Sequence, residues 1–205
     1  MTDRRSHWEH VYETKGEHEV SWFQDNPAPS LELIALAGAA PASAIIDIGG
    51  GASRLVDALL AQGFRDLTVL DLSSAALATA QARLGRAADR VTWIAADVTT
   101  WQPPQAYDIW HDRAALHFLN TPQEQAAYRD RLRQALKVGG HAIIGTFALD
   151  GPEKCSGLPV TRHSADSLGA LLGADFTLVD SRRHDHATPW QAVQHFQFST
   201  FERTR

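Results

Sequence analysis

The sequence predicts an α/β protein whose central sheet is mostly parallel and carries helices on both faces. From residue 44 onward, short apolar runs alternate with helical patterns at a regular spacing, which is typical of strand–helix–strand units. Near the end, two strand patterns at 174–183 and 192–202 follow each other with no helical pattern between them. Such strands pair as a hairpin, so we expect seven strands, one of them antiparallel.

Five apolar runs in the middle of the chain predict the parallel strands. They lie at 44–49, 66–72, 91–97, 106–112 and 139–151. Each is short and is followed by a turn signal or by a helical pattern. Because ligands of open parallel sheets bind beyond the carboxyl ends of the strands, the residues that end these runs are the first candidates for a site.

Apolar residues at helical spacing separate the strands. We expect helices at 53–63, 73–85, 121–136 and 164–173, and two further helical stretches at 4–15 and 29–40. Thr121 suits an N-cap and Pro122 the first helical position, while serines open the second of these helices and Gly63 suits the end of the first.

Length and composition favour one globular domain. The chain has 205 residues, 44% of them hydrophobic and 21% charged, and it is long enough to bury a sizeable core. Cys155 is the only cysteine, which excludes a disulfide framework. We expect a single domain over 1–205, with an N-terminal helical segment at 1–43, a core at 44–150, and a loop and hairpin at 151–205.

The charge balance and the hydropathy pattern exclude several partners. Nineteen Lys and Arg against 24 Asp and Glu give a net charge of −5, so the chain lacks the positive field that nucleic acids require. No apolar stretch is suited to a signal peptide or to a membrane span. Ten histidines occur, but none forms a metal-ligand pattern with acidic or cysteine partners. We expect a cytoplasmic protein with no metal, membrane or nucleic-acid partner.

The glycine-rich turn after the first predicted strand separates three kinds of ligand. A phosphate-binding loop requires Gly-Lys followed by Ser or Thr, which occurs nowhere in the chain. A dinucleotide loop requires a third glycine where Arg54 stands, which weakens that interpretation without eliminating it. The remaining pattern, D-x-G-x-G-x-S, is matched by Asp47, Gly49, Gly51 and Ser53, with Gly50 between the glycines.

At these positions the chain resembles the class I S-adenosylmethionine-dependent methyltransferases, in particular their small bacterial members, over about residues 45–150. The resemblance implies a Rossmann-like fold that binds the nucleoside in the 44–150 core. It also implies that Asp71, with Leu72 beside it, accepts hydrogen bonds from the ribose hydroxyls. Asp97 is then expected to take the adenine amino group, with Val98 beside the base. A carboxylate at Asp47 suits a ligand with a cationic α-amino group and a sulfonium, acting directly or by ordering the loop.

The segment after the fourth strand, 110–119, is expected to line the space beside the transferable methyl group. His111 and His117 are candidate general bases, because an ordinary histidine pKa of about 6.5 suits proton removal near neutrality. Either histidine is equally well explained as a core residue. Asp112 and Arg113 are candidates for orienting a polar substrate or for pairing with each other.

The two ends of the chain offer further candidates. Trp22, in the segment 21–24, is predicted to form a lid over the cofactor, or else to attach the N-terminal helices to the core. The irregular loop 150–164 is expected to set substrate specificity, with Cys155 inert and Arg162 a candidate for binding an anionic acceptor. His184 and His186 fall near the same face.

The sequence therefore predicts an enzyme that transfers a methyl group from S-adenosylmethionine to a small-molecule acceptor. The preference for a small molecule rests on the polar residues of 111–117 and on the lack of an Asn-Pro-Pro-Tyr motif. Within the class, the alternative is a protein lysine methyltransferase. Outside it, the alternatives are an NAD-type oxidoreductase and a non-catalytic nucleoside-binding module. The sequence does not determine the oligomeric state.

Overall fold

The computed structural model describes residues 4–205, so the first three residues of the predicted N-terminal segment lie outside the described part. A seven-stranded sheet forms the centre, in the spatial order β3-β2-β1-β4-β5-β9-β8. The strands of this sheet are β1 Ala44–Ile48, β2 Asp66–Asp71, β3 Val91–Ala95, β4 Tyr107–Arg113, β5 Leu136–Phe147, β8 Phe176–Ala187 and β9 Val193–Arg203. Between β5 and β8, the two-residue strands β6 Lys154–Cys155 and β7 Leu158–Pro159 form a separate small hairpin.

Strand directions confirm the predicted class. The strands β1 to β5 pair in parallel, whereas β9 lies antiparallel between β5 and β8. Six strands of the sheet therefore run one way and one runs the other way. The order along the chain reverses between β1 and β4, which is the point where open parallel sheets bind ligands.

Helices lie on both faces of the sheet. They are α1 Arg4–Thr14, α2 Ala28–Leu36, α3 Leu55–Ala61, α4 Ser74–Leu84, α5 Pro122–Ala135 and α6 Ala165–Leu172. The predicted start of α5 is confirmed: the Thr121 side chain accepts a hydrogen bond from the Glu124 N–H, and the Glu124 carboxylate accepts one from the Thr121 N–H. Gly63, at a φ of +88°, follows α3 as expected for a helix stop.

Two apolar layers fill the space between the sheet and its helices. Neighbouring residues of β1 alternate between them: Ile45 packs in one layer and Ile46 in the other. On the Ile46 side, the buried Trp110 and Tyr128 join β4 to α5. Burial on both faces explains why the central strands read as continuous apolar runs.

Several boundaries differ from the prediction, and three of the differences are informative. β5 begins at Leu136, directly after α5, because the buried Leu136 already pairs with Tyr107 of β4. β3 ends at Ala95, so Asp97 lies two residues beyond the strand. β8 extends four residues past the predicted end. No helix among residues 4–205 is long and apolar enough to cross a membrane.

Candidate active site

Two adjoining cavities open at the carboxyl ends of the central strands, and the N-terminal segment forms part of their walls. The first has a volume of about 800 Å³ and lies over the ends of β1, β2 and β4. The second has a volume of about 740 Å³ and lies beside the glycine turn that follows β1. They share four wall residues, namely Tyr12, Trp22, Gly49 and Arg113.

The glycine turn brings its bare backbone against two carboxylates. A Cβ atom on Gly50 would lie 2.5 Å from Oδ2 of Asp47, and one on Gly51 would lie 2.7 Å from Oδ2 of Asp71. Gly51 also has a φ of +39°, in the left-handed region that favours glycine. The sequence pattern of an acidic residue followed by glycines is therefore a steric requirement of this turn.

Asp71 ends β2 and lies in the wall of the first cavity beside Leu72. Its Oδ1 accepts a hydrogen bond of 2.8 Å from the Ser73 N–H. Burial, helped by the nearby charges of Asp47 and Glu9 and opposed by the hydrogen bond from the Ser73 N–H, raises the pKa of Asp71 to about 7. A proton and a ligand therefore compete for this carboxylate near neutral pH.

Asp97 and Val98 line the same cavity on the β3 side. Oδ1 of Asp97 accepts hydrogen bonds from the backbone N–H and the hydroxyl of Thr99, at 2.8 and 2.7 Å. Its Oδ2 lies 3.9 Å from Nη2 of Arg4, and this guanidinium also forms an ion pair of 2.7 Å with Glu124. The first helix thus places a cation beside the carboxylate that the sequence analysis assigns to the adenine amino group.

Asp47 and His111 face each other across β1 and β4 in the wall of the second cavity, and both are buried. The Nδ1 atom of His111 lies 2.7 Å from Oδ1 of Asp47, and its Nε2 lies 2.8 Å from the Ser30 hydroxyl. Since a carboxylate only accepts, Nδ1–H donates to Asp47, and Nε2 forms a hydrogen bond with the Ser30 hydroxyl. Both ring nitrogens of His111 are therefore engaged in holding the carboxylate under the glycine turn. Ser53 lines this cavity as well.

His117 is fully buried against aromatic rings, with its centroid 4.4 Å from that of Phe118 and 4.9 Å from that of Phe147. Neither ring nitrogen has a hydrogen-bond partner among the described residues. Burial, with smaller contributions from the neighbouring His163 and Arg113, lowers the pKa of His117 to about 3. The ordinary pKa assumed in the sequence analysis is therefore wrong for this histidine, which is neutral at pH 7.

Asp112 and Arg113 do not pair with each other, so that expectation is wrong. Successive residues of a strand point to opposite faces. The carboxylate of Asp112 turns towards α5 and accepts hydrogen bonds from the Ala115 N–H at 2.8 Å and from the Tyr128 hydroxyl at 2.7 Å. Arg113 turns into the cavities, where its Nη1 donates to the Trp22 carbonyl at 2.9 Å. Asp112 is consequently a structural residue below the site.

The N-terminal segment contributes an aromatic wall that the sequence analysis recognised only at Trp22. The Trp22 indole N–H donates to the Tyr12 hydroxyl at 3.1 Å. The ring of Trp8 lies edge-on to Trp22, at 5.4 Å between centroids, and to Phe118, at 5.0 Å. Trp8 and Tyr12 stand four residues apart on one face of α1, and that spacing was the signal available in the sequence. Phe23 lines the second cavity, where its ring lies against His18.

The remaining candidates lie at different distances from the cavities. Cys155 lines the first cavity, and burial raises the pKa of its thiol to about 11, which agrees with an inert side chain. Arg162 is not a cavity residue; it forms an ion pair with Glu153 and donates to a backbone carbonyl. His186 donates from Nε2 to the Ser21 carbonyl at 2.7 Å, and burial lowers its pKa to about 4. Among residues 4–205, no three metal-ligating side chains gather into a cluster.

The fold and the turn together define the class. The glycine turn, the two acidic strand ends and the strand order describe an α/β nucleoside-binding site of the methyltransferase type. Residues 45–140 match a family described as a methyltransferase domain. In this match and in its fold, the chain is similar to the class I S-adenosylmethionine-dependent methyltransferases. No curated protein matches the chain in sequence.

Several solved structures share the fold. A structure concerned with the conversion of a disulfide bond into a thioacetal group during echinomycin biosynthesis has 20% identity and a TM-score of 0.78, over 98% of this chain and 92% of the other. The 1,6-didemethyltoxoflavin-N1-methyltransferase of Burkholderia thailandensis, with S-adenosylhomocysteine bound, has 24% identity and a TM-score of 0.73, over 98% and 88%. The N-methyltransferase NodS of Bradyrhizobium japonicum, also with S-adenosylhomocysteine, has 18% identity and a TM-score of 0.73, over 96% and 98%.

Proposed function

We propose that this protein transfers the methyl group of S-adenosylmethionine to a small-molecule acceptor bound between the central strands and the N-terminal segment. The observation that carries the proposal is the convergence of a side-chain-free turn and two acidic residues on one cavity. Gly49, Asp71 and Asp97 come from three successive strand ends, and all three line the first cavity. These groups suit a nucleoside that bears hydroxyls, an amino group and no pyrophosphate.

The residues present fit the donor. Asp71, at the end of β2, suits the ribose hydroxyls, and Val98 and Leu72 offer apolar walls for the base. Gly50, Gly51 and Ser53 leave room for the methionine part beside Asp47. Asp47 is held by His111, so its negative charge is fixed where a cationic α-amino group would lie.

The donor, when bound, supplies a methyl group on a sulfonium, which needs no further activation by the protein. The task of the chain is then to exclude water and to align the acceptor. The aromatic rings of Trp8, Tyr12 and Trp22 cover the first cavity, and aromatic faces attract cationic groups. Within the single domain that we propose, the N-terminal segment up to residue 43 acts as the lid.

Neither His111 nor His117 is well placed to act as the general base. His111 uses both ring nitrogens to hold Asp47 and Ser30, and a pKa of about 3 makes His117 a weak base at neutral pH. The geometry therefore does not support the prediction of a histidine base, which stays a prediction. An acceptor that is nucleophilic in its neutral form, such as an amine with a free electron pair, suits this site best.

The acceptor is proposed to be a small molecule because the available space is a cavity with aromatic walls. Several structures of the same fold belong to enzymes named for small or peptidic acceptors, including the toxoflavin enzyme above and a glycopeptide N-methyltransferase. A protein lysine acceptor is the alternative within the class. The predicted cytoplasmic location and the expected absence of a nucleic-acid partner stay predictions.

Two measurements test the proposal. Calorimetry should detect binding of S-adenosylmethionine and not of NAD. The opposite result would favour the alternative of an NAD-type oxidoreductase. Incubation with methyl-labelled donor and a fractionated cell extract should then place the label in the small-molecule fraction. Label in protein would favour the lysine methyltransferase, and donor binding without any labelled product would favour the non-catalytic module.

A matched pair of variants tests the donor site itself. Asp71→Ala removes the carboxylate proposed to accept from both ribose hydroxyls, and loss of one such charged hydrogen bond costs ~1.5–3 kcal/mol, or at least tenfold in affinity. Asp66→Ala, at the exposed opposite end of the same strand, should bind the donor like the wild type. Unchanged affinity in Asp71→Ala would remove this residue from the site.

A further inference from the structure

Arg113 is a cation without an anionic partner among the described residues. Its Nη1 donates to the Trp22 carbonyl, and the guanidinium carbon lies 5.0 Å from the centroid of the Phe196 ring. Its Nε and Nη2 are out of contact with solvent and have no hydrogen-bond partner. Buried charged groups are costly to leave unpaired, so an unpaired guanidinium edge requires an explanation.

The two unpaired nitrogens form one edge of the guanidinium. This Nε–Nη2 edge presents two parallel N–H groups, the arrangement that binds both oxygens of a carboxylate or two oxygens of a phosphate. Burial lowers the pKa of Arg113 only to about 10, so the side chain is charged at neutral pH. It can therefore supply one half of a bidentate ion pair.

No carboxylate of the site is available to complete the pair. Asp112 points to the opposite face of β4, where it is held by backbone N–H groups and by Tyr128. Asp47 is the carboxylate whose charge raises the pKa of Arg113, but it is hydrogen-bonded to His111. The other buried titratable side chains close to Arg113 are Cys155, Tyr12, His186 and His117, and none of them is a carboxylate.

The position of the guanidinium favours the acceptor over the donor. It stacks on Phe196 of β9, and β9 is separated from β1 by β4 and β5. Asp71 and Asp97, which are proposed to hold the nucleoside, lie on the other side of β1. Arg113 lines both cavities, and its guanidinium stacks towards β9, on the opposite side of β1 from the strands that carry Asp71 and Asp97.

We propose that Arg113 is the specificity residue of the acceptor site, and that the acceptor carries a carboxylate or phosphate group bound by its Nε–Nη2 edge. This inference rests on the proposed methyl transfer and names the substrate class for it. The walls of the first cavity are mainly apolar and include the aromatic rings of Trp8, Tyr12, Trp22 and Phe118, so the acceptor also has an apolar or aromatic body. Because neither nitrogen touches solvent, the guanidinium rotates or the Trp22 carbonyl withdraws when the anion binds.

Aromatic acids and their amides test this inference directly. Phenylacetate and phenylacetamide have the same shape but differ in charge, and each is titrated into the protein with and without S-adenosylhomocysteine. Wild-type protein should bind the acid at least tenfold more tightly than the amide. Arg113→Gln should weaken the acid about tenfold to hundredfold and leave the amide unchanged, while Arg113→Lys should retain part of the preference. Arg129→Gln, at an exposed position on α5, is the matched control.

The outcomes separate the inference from the function on which it rests. S-adenosylhomocysteine affinity should change less than about threefold in Arg113→Gln. A tenfold loss of that affinity, with the acid preference retained, would show that Arg113 holds the donor carboxylate instead. Equal binding of acid and amide by the wild type, or no binding of either up to millimolar concentration, would overturn the inference without any variant. Failure of the wild type to bind S-adenosylhomocysteine would overturn the proposed function. The preference for the acid over the amide is measured on the ligand-free protein as well, so that result tests the role of Arg113 independently.

Discussion

Replacing Gly51 by alanine gives the sharpest test of how the glycine turn serves the donor site. The new Cβ would lie 2.7 Å from Oδ2 of Asp71 and 3.2 Å from Cβ of Ala76, at a φ of +39°. The first contact is with a side-chain oxygen that has room to move, so we expect the carboxylate to turn away from the cavity. Asp71 then no longer presents both oxygens to the ribose.

The expected magnitudes separate backbone strain from loss of the site. An alanine in the left-handed region costs roughly 1–2 kcal/mol of stability. Losing one hydrogen bond to a charged group costs a further ~1.5–3 kcal/mol of donor binding, which corresponds to about tenfold to hundredfold in affinity. Gly63→Ala supplies the control, since Gly63 has a φ of +88° and open space around the new Cβ.

Calorimetric titration of S-adenosylhomocysteine into both variants, together with their melting temperatures, measures the two effects. Both variants should melt a few degrees below the wild type, and only Gly51→Ala should lose donor affinity. Equal affinity in the two variants would refute the argument that the missing side chain protects the position of Asp71. A loss of affinity in Gly63→Ala would show that strain alone accounts for the effect.

The pKa shifts lead to two further predictions. Burial raises the pKa of Asp71 to about 7, and the donor requires its ionised form. As the pH rises, the affinity for S-adenosylhomocysteine should therefore increase up to about tenfold per pH unit below pH 7 and level off above it. Asp71→Asn should abolish this dependence, and a wild-type affinity that does not change with pH would contradict the prediction. Burial lowers the pKa of His117 to about 3, so below pH 6.5 the unfolded chain binds a proton at this residue while the folded chain does not. As the pH is lowered from 6.5 to 3, the free energy of unfolding should therefore fall by up to ~1.4 kcal/mol per pH unit. In His117→Phe, the free energy of unfolding measured with urea should depend less steeply on pH over this range, by the equivalent of about one proton. An unchanged pH dependence would contradict the assigned burial.

The features that the sequence predicted correctly are those written in local patterns. Apolar runs and capping residues such as Thr121 gave the strand and helix order, because each depends on neighbours within a few positions. The lack of any helical pattern between the last two strands gave the antiparallel strand. The closeness of the glycine turn to Asp71 followed from a rule of parallel sheets, which brings successive strand ends to one edge.

The features that the sequence did not reveal depend on distant partners. The pairing of His111 with Ser30 joins positions 81 residues apart, and no local pattern indicates it. The low pKa of His117 depends on burial of its ring, to which Phe147 of the distant strand β5 contributes. The error at Asp112 and Arg113 was avoidable, since alternation along a strand already separates adjacent side chains.

Trp22 touches both ends of the cavity system through different atoms. Its carbonyl accepts from Arg113, its indole N–H donates to Tyr12, and its ring packs edge-on against Trp8. If the anion binds by withdrawal of this carbonyl, the ring of the same residue is displaced as well. We then expect occupancy of one end to be linked to occupancy of the other through Trp22. By thermodynamic reciprocity, each ligand changes the affinity of the other by the same factor, whichever arrives first.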